Sequence, residues 1–115
     1  MPKQPDPAKI ARTARDAVEQ LNHATATPDI PAPIISATTQ AVLSLLQHLP
    51  QTIEQLNWAL AARQRSYEIR TDNGTDPAAA VREVDEAMRA TVGALEAASS
   101  ALQRAATPLF SMAAK

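Results

Sequence analysis

Cysteine is absent from this chain of 115 residues, glycine occurs twice, and tryptophan, tyrosine and phenylalanine occur once each. Without a thiol there is no disulfide framework, no zinc–thiolate or iron–sulfur site and no cysteine nucleophile. Two glycines cannot build a phosphate-cradling loop. Neither sign of charge is in excess: 11 Lys+Arg stand against 12 Asp+Glu, a formal net charge of -1. The balance holds by segment, with four basic and four acidic groups in residues 1–30, three and three in 31–74, and four and five in 75–115. Such a chain has no basic field for nucleic acid and no polybasic attraction to an anionic membrane. Long hydrophobic runs are missing too, since the most apolar stretch, Val42-Leu43-Ser44-Leu45-Leu46, falls far short of the ~18–20 residues that cross a bilayer. The polar, proline-rich start Met1-Pro2-Lys3-Gln4-Pro5-Asp6-Pro7 lacks an apolar signal region, so the expectation is a cytoplasmic protein.

What is plentiful is alanine, with 25 residues. Together with eight Arg against three Lys, it points to a GC-rich bacterial coding sequence. The length suits one helical domain over residues 1–115.

The nine prolines and two glycines punctuate long helix-compatible stretches. Asp6-Pro7 reads as an N-cap followed by proline in the first turn. After residues 1–6 as a tail, Ile10, Ala14, Ala17, Val18 and Leu21 recur at helical spacing and predict an amphipathic helix over 7–24. Residues 24–33 form a proline-rich connector. Helical pattern resumes at Pro33 and runs Ile35, Thr39, Val42, Leu46, Leu49, Ile53, Leu56, Leu60 and Tyr67, predicting a helix over 33–71. Pro50 either kinks this helix, as the continuous phase favours, or separates two, as the capping-box pattern Thr52-x-x-Gln55 would have it. Asn73-Gly74 supplies a chain reversal, and Asp76-Pro77 opens the last helix. There a heptad repeat places Val81, Met88, Leu95, Leu102 and Leu109 at one position and Val84, Thr91, Ala98, Ala105 and Met112 at the other. A 3.5-residue repeat implies left-handed, near-antiparallel packing on a neighbour. The predicted helix 77–106 would be about 45 Å long, with Pro108 ending or kinking it and residues 107–115 forming an apolar tail. The fold class is therefore all-α, an up-down bundle of three to four helices containing a long antiparallel hairpin.

Two surfaces depart from a simple core stripe. Ala87, Ala90, Ala94, Ala97 and Ala101 line a second face of the last helix, roughly 120–160° from the heptad stripe. They are either helix-forming residues on a solvated face or a second packing face for close helix approach. Trp58, Ala62 and Ile69, with Arg65 beside them, fall opposite the main stripe of their helix. Trp58 is then either buried in a multi-helix bundle or an interface anchor.

The sequence offers no enzyme. Glu19 and His23 share a helix face but lack a second metal-ligating pair, and His48 beside Pro50 has no ligand-spaced partner. Asp72-Asn73-Gly74-Thr75-Asp76 with Glu83 resembles a calcium loop only in outline, because Gly74 and Pro77 stand at the wrong positions. Acidic Glu83, Asp85 and Glu86 suit a helix N-terminus. Ser36, Ser44, Ser66, Ser99, Ser100 and Ser111 lie outside nucleophile motifs, and Glu68 and Asp72 dilute the Arg63, Arg65 and Arg70 group. No cofactor, metal or catalytic residue is expected.

A cysteine-free, alanine-rich helical hairpin of this length resembles the small WXG-type secreted helical proteins of actinobacteria, which would imply a secreted helical protein. Trp58-Ala59-Leu60 lacks the glycine and sits within a helix, and Tyr67 is followed four residues later by Thr71 in place of an acidic residue.

The leading functional expectation is a non-enzymatic interaction or assembly protein acting through helix–helix contacts, a homo-oligomer and/or a partner of another helical protein. The candidate interface comprises Trp58, Ala62, Arg65, Ile69, the five alanines and the tail residues Leu109, Phe110 and Met112. The alternative is a small-molecule-binding bundle with an apolar slot at Trp58 and Met88. A DNA-associated regulatory dimer is a lesser alternative, membranes and nucleic acid not being expected partners.

Overall fold

The computed structural model describes residues 4–112, in which all regular structure is helical: α1 Pro7–Ala24, α2 Ala32–Arg65 and α3 Pro77–Phe110. The chain divides into two units, residues 1–31 and 32–115.

In the first unit the Asp6 carboxylate accepts a 3.0 Å hydrogen bond from the Ala8 N–H, with Pro7 in the first turn, so α1 starts where Asp-Pro places it. At its end the Thr25 hydroxyl donates to the Leu21 carbonyl at 2.9 Å. Leu21 is half-buried and the rest of α1 is exposed, including Ile10 and Val18 of its apolar stripe.

In the second unit α2 and α3 pack lengthwise as an antiparallel hairpin. Pro50 lies inside a single unbroken helix. It removes the N–H that would have bonded the Leu46 carbonyl, but its ring sits half-buried on the packing seam. The seam of α2 steps by alternate threes and fours through Ser36, Thr39, Leu43, Leu46, Pro50, Ile53, Asn57, Leu60 and Gln64, all buried or half-buried. Leu56 falls to its flank and is 46% exposed.

On α3 one expected heptad position is occupied as predicted, with Val81, Met88, Leu95, Leu102 and Leu109 half-buried. The other is not. Val84 at its start is half-buried, but Thr91, Ala98, Ala105 and Met112 are exposed, and the seam is completed one residue on by Asp85, Val92, Ser99 and Ala106. Two of those four are polar, which is why apolar periodicity favoured the neighbouring row. The apolar centre is small: Leu43 at 7% and Ala106 at 3% exposure are the buried hydrophobic residues, joined by Ser36.

Both helix ends differ from expectation. α2 stops at Arg65, not residue 71, because Tyr67 adopts a left-handed φ of 56°. The Glu68 N–H then donates to the Arg63 carbonyl and the Tyr67 N–H to that of Gln64, each at 3.0 Å, which closes a Schellman cap without glycine. Tyr67 thus leaves the helical stripe and stands 93% exposed. α3 runs past Ala106 and through Pro108 to Phe110. Proline costs it one backbone bond, but Leu109 continues the seam and the Ser111 hydroxyl donates to the Pro108 carbonyl at 3.0 Å. Residues 113–115 of the expected tail lie outside the described residues. In the reversal, Gly74 has φ 78° and the Thr75 N–H donates to the Asn73 side chain at 3.1 Å. Asp76 holds the N-cap position of α3 with no side-chain capping bond.

Two stability outcomes follow. The Ser99 hydroxyl oxygen is buried without a hydrogen-bond partner, so Ser99→Ala raises stability by about 1 kcal/mol, a melting shift of a few degrees. Left-handed geometry strains a side chain bearing Cβ, so Tyr67→Gly stabilises by up to about 1 kcal/mol with helix content unchanged in circular dichroism. A loss of stability would show that the tyrosine ring holds the turn through contacts.

Candidate functional site

Each helix of the hairpin has two flanks beside its seam, and these sort into two unlike sides. One side is polar and grooved. Gln40, Leu43 and Gln47 of α2 meet Gln103, Ala106, Thr107 and Phe110 of α3 around a cleft of about 430 Å³. Further along, Glu54, Asn57, Trp58 and Ala61 meet Asp85, Arg89 and Val92 around one of about 450 Å³. A smaller cleft of about 260 Å³ involves Pro33, Ser36, Ala37, Gln40, Phe110 and Met112.

The grooved side carries the main polar cluster of the seam. The Asn57 amide donates to one oxygen of Asp85 at 2.6 Å, and the Arg89 guanidinium donates to the other at 2.9 Å. Asn57 and Asp85 are half-buried, so each side chain answers the desolvation of the other. The Asn57 bond, then the Arg89 bond, hold the Asp85 carboxyl below its ordinary value, with partial burial opposing and the Arg89 charge adding to the depression. Trp58 stands beside this cluster, 71% exposed. Of the two alternatives for Trp58, it takes no place in the core of the hairpin: α2 has its seam filled by Asn57 and Leu60, and Trp58 points off it.

The other side is apolar, and smooth in the sense that short alanine side chains line half of it. Because the clefts use the flank of α2 that carries Gln40, Gln47 and Glu54 and the flank of α3 that carries Arg89 and Gln103, the opposite flanks share the remaining side. On α2 that flank is the heptad row Ile35, Val42, Leu49 and Leu56, half-buried in the middle and exposed at 40% and 46% at its ends. On α3 it is Thr91, Ala98 and Ala105 with Ala87, Ala94 and Ala101 beyond, all exposed. The periodicity of α2 had shown Ile35, Val42, Leu49 and Leu56 only as part of a core stripe. Their role as a flank becomes visible once Leu43, Asn57 and Gln64 are seen to fill the seam.

The predicted interface residues are thus divided. Ala87, Ala94 and Ala101 lie on the smooth side, with Ala90 and Ala97 exposed at its outer margin. Trp58, Phe110 and Met112 line the grooved side, Phe110 being 76% exposed. Leu109 belongs to the seam. Ala62 is half-buried and Arg65 exposed at the end of α2, while Ile69 lies past that helix and does not extend the Trp58 strip. Met88 is on the seam and does not line the cleft at Trp58, so the expected apolar slot is instead a mixed one with Glu54, Asp85 and Arg89 in its wall. Glu19 and His23 are exposed on α1, and a ring nitrogen of His48 lies 2.7 Å from the Ser44 carbonyl.

Comparison with known proteins finds no matching family model, no matching curated protein and no matching solved structure.

Asp85 gives the hairpin a directional pH dependence. A carboxyl whose folded pKa is depressed adds stability above its unfolded value of ~3.9, and that contribution disappears as pH falls through the lower folded value. Replacing Asn57 by Leu removes the largest cause of the depression. The melting-temperature difference between wild type and Asn57→Leu should therefore shift in favour of the variant on acidification from neutral to about pH 3. A difference that stays constant over that range would show that the Asn57–Asp85 bond does not set the carboxyl's pKa.

Proposed function

We propose that this chain is a non-enzymatic assembly protein that acts through helix–helix contacts, associating with copies of itself and/or with another helical protein. The observation that supports the reading is the imbalance between core and surface in the hairpin. Leu43 is its only large hydrophobic side chain below a tenth exposure, while Ile35, Leu45, Leu56, Trp58 and Phe110 all stand at 40% or more. Burial of apolar area is the principal favourable term in folding, at roughly 25 cal/mol per Å². Two helices touching along one seam leave most of that term unused, and folding margins are only ~5–15 kcal/mol. Association is the direct way to use the remaining surface.

A small-molecule role has less support. The clefts of about 430 and 450 Å³ have the size of ligand sites. However, the polar atoms of Asn57 and Asp85 that could orient a ligand are bonded to each other and to Arg89.

Light scattering and sedimentation of the full chain over a series of concentrations test the proposal. The expected result is a mass above that of the monomer, with a melting temperature that rises with protein concentration, as linkage requires when association stabilises the native state. A monomer mass throughout, with a concentration-independent melting temperature, would remove self-association from the reading.

A further inference from the structure

We infer that the smooth side of the α2–α3 hairpin is the docking surface for a second copy of this chain, in a two-fold dimer in which α2 of each copy lies along α3 of the other. This rests on the assembly reading above and goes further by fixing the surface and the mode.

The face has the extent such a contact needs. From Ile35 to Leu56 it runs about 32 Å at ~1.5 Å per residue, and two helices make it about 20 Å across. That is on the order of 600 Å² in plan, before side-chain relief, against ~800 Å² per partner in a standard interface.

Its relief is self-complementary. The α2 half carries large side chains and the α3 half carries small ones. The clefts on the other side place Leu43 beside Ala106 and Asn57 beside Asp85 and Val92. Heptad steps from those pairs bring Val42 level with Ala105, Leu49 with Ala98 and Leu56 with Thr91, to within a turn. A two-fold axis parallel to the helices preserves levels, so Leu49 of one copy meets Ala98 of the other, twice over. Large on small lets helix axes close to the usual 8–10 Å along the whole contact. Stacking α2 on its own copy and α3 on its own copy would set Leu against Leu on one half and leave a gap over the alanines on the other. In the chosen arrangement every adjacent pair of helices is antiparallel, as in an up-down four-helix bundle, and the interface is isologous.

Charge fits the same pairing. No charged side chain interrupts the rows between Ile35 and Leu56 or between Ala87 and Ala105. Arg63 continues the α2 row at its end, where its guanidinium is already paired with Glu68 of the same chain at 3.3 Å, so no unpaired charge is carried into the contact there. The charges of the grooved side, Glu54 and Arg89 exposed and Asp85 half-buried against Asn57, take no part in this contact.

The test uses single substitutions in the full chain. Ala98→Arg changes an exposed residue off the seam and should convert the dimer to monomer at concentrations where wild type is dimeric, weakening association about tenfold or more, with helical circular dichroism retained. Gln47→Arg, on the grooved side, should leave the mass unchanged. A dimer that survives Ala98→Arg overturns the proposed face while leaving the assembly reading standing. A wild-type chain that is monomeric throughout overturns the two-fold dimer and removes self-association from the assembly reading, leaving another helical protein as its one remaining partner. Since the chain contains no cysteine, the mode is checked separately: with a short bismaleimide linker, Leu49→Cys mixed with Ala98→Cys should cross-link far more than either alone. Efficient cross-linking of Leu49→Cys to itself would overturn the α2-on-α3 arrangement.

Discussion

Two cylinders in contact touch along a line, and that limit governs the second unit of this protein. A helix of 34 residues presents a seam of two alternating heptad positions to its neighbour and leaves the other positions to flanks and outer face. Most side chains at the seam are only half-buried, with Ser36, Leu43 and Ala106 the buried ones among the described residues. The exposure of every aromatic residue, Trp58, Tyr67 and Phe110, is a consequence of this geometry, because bulky rings fit poorly between two closely packed helices whose seam includes Ala106, Ser36 and Ser99.

A seam with so little apolar contrast needs another source of register. The Asn57–Asp85 bond is a directional contact that joins the two helices across it. A slip by one heptad would carry the Asp85 carboxylate away from its amide partner, leaving it only the Arg89 bond and leaving the half-buried Asn57 amide without this partner. Polar groups at single seam positions specify register in coiled coils for the same reason. Arg89 strengthens the pair from the exposed side, where its own charge remains hydrated.

Much of this architecture is legible in the sequence, and the departures have identifiable causes. The starts of α1 and α3 follow from Asp6-Pro7 and Asp76-Pro77, because proline in the first turn loses no bond. The heptad row from Val81 to Leu109 gives the antiparallel hairpin. The end of α2 was hidden, since a Schellman cap ordinarily announces itself with glycine and here Tyr67 takes the left-handed position. The second seam row of α3 was hidden as well. Asp85 and Ser99 look like surface residues to any apolar count, so the neighbouring Ala98 and Ala105 seemed to belong inside with Val84, which alone of that row is half-buried. That error of one residue turns the helix by about 100° and exchanges a flank for the seam. Trp58 was placed off the main stripe correctly, but only the filled seam of α2 shows that it is exposed.

The exchange of flank for seam also changes the meaning of the alanines. Had Ala98 and Ala105 faced α2, their small size would describe a thin core, and a thin core says nothing about partners. On the exposed flank they sit level with Leu49 and Val42 across the hairpin, and size now varies across the face while polarity does not. A surface that is uncharged, apolar but for Thr91, and divided into a large-residue half and a small-residue half has the relief on which the proposed two-fold contact rests. A solvated alanine face does not call for such a division, since helix propensity alone would be served equally by alanine on either helix. Ala87, Ala94, Ala98, Ala101 and Ala105 thus give α3 the small-residue half of one side of the hairpin, beside the large residues of α2.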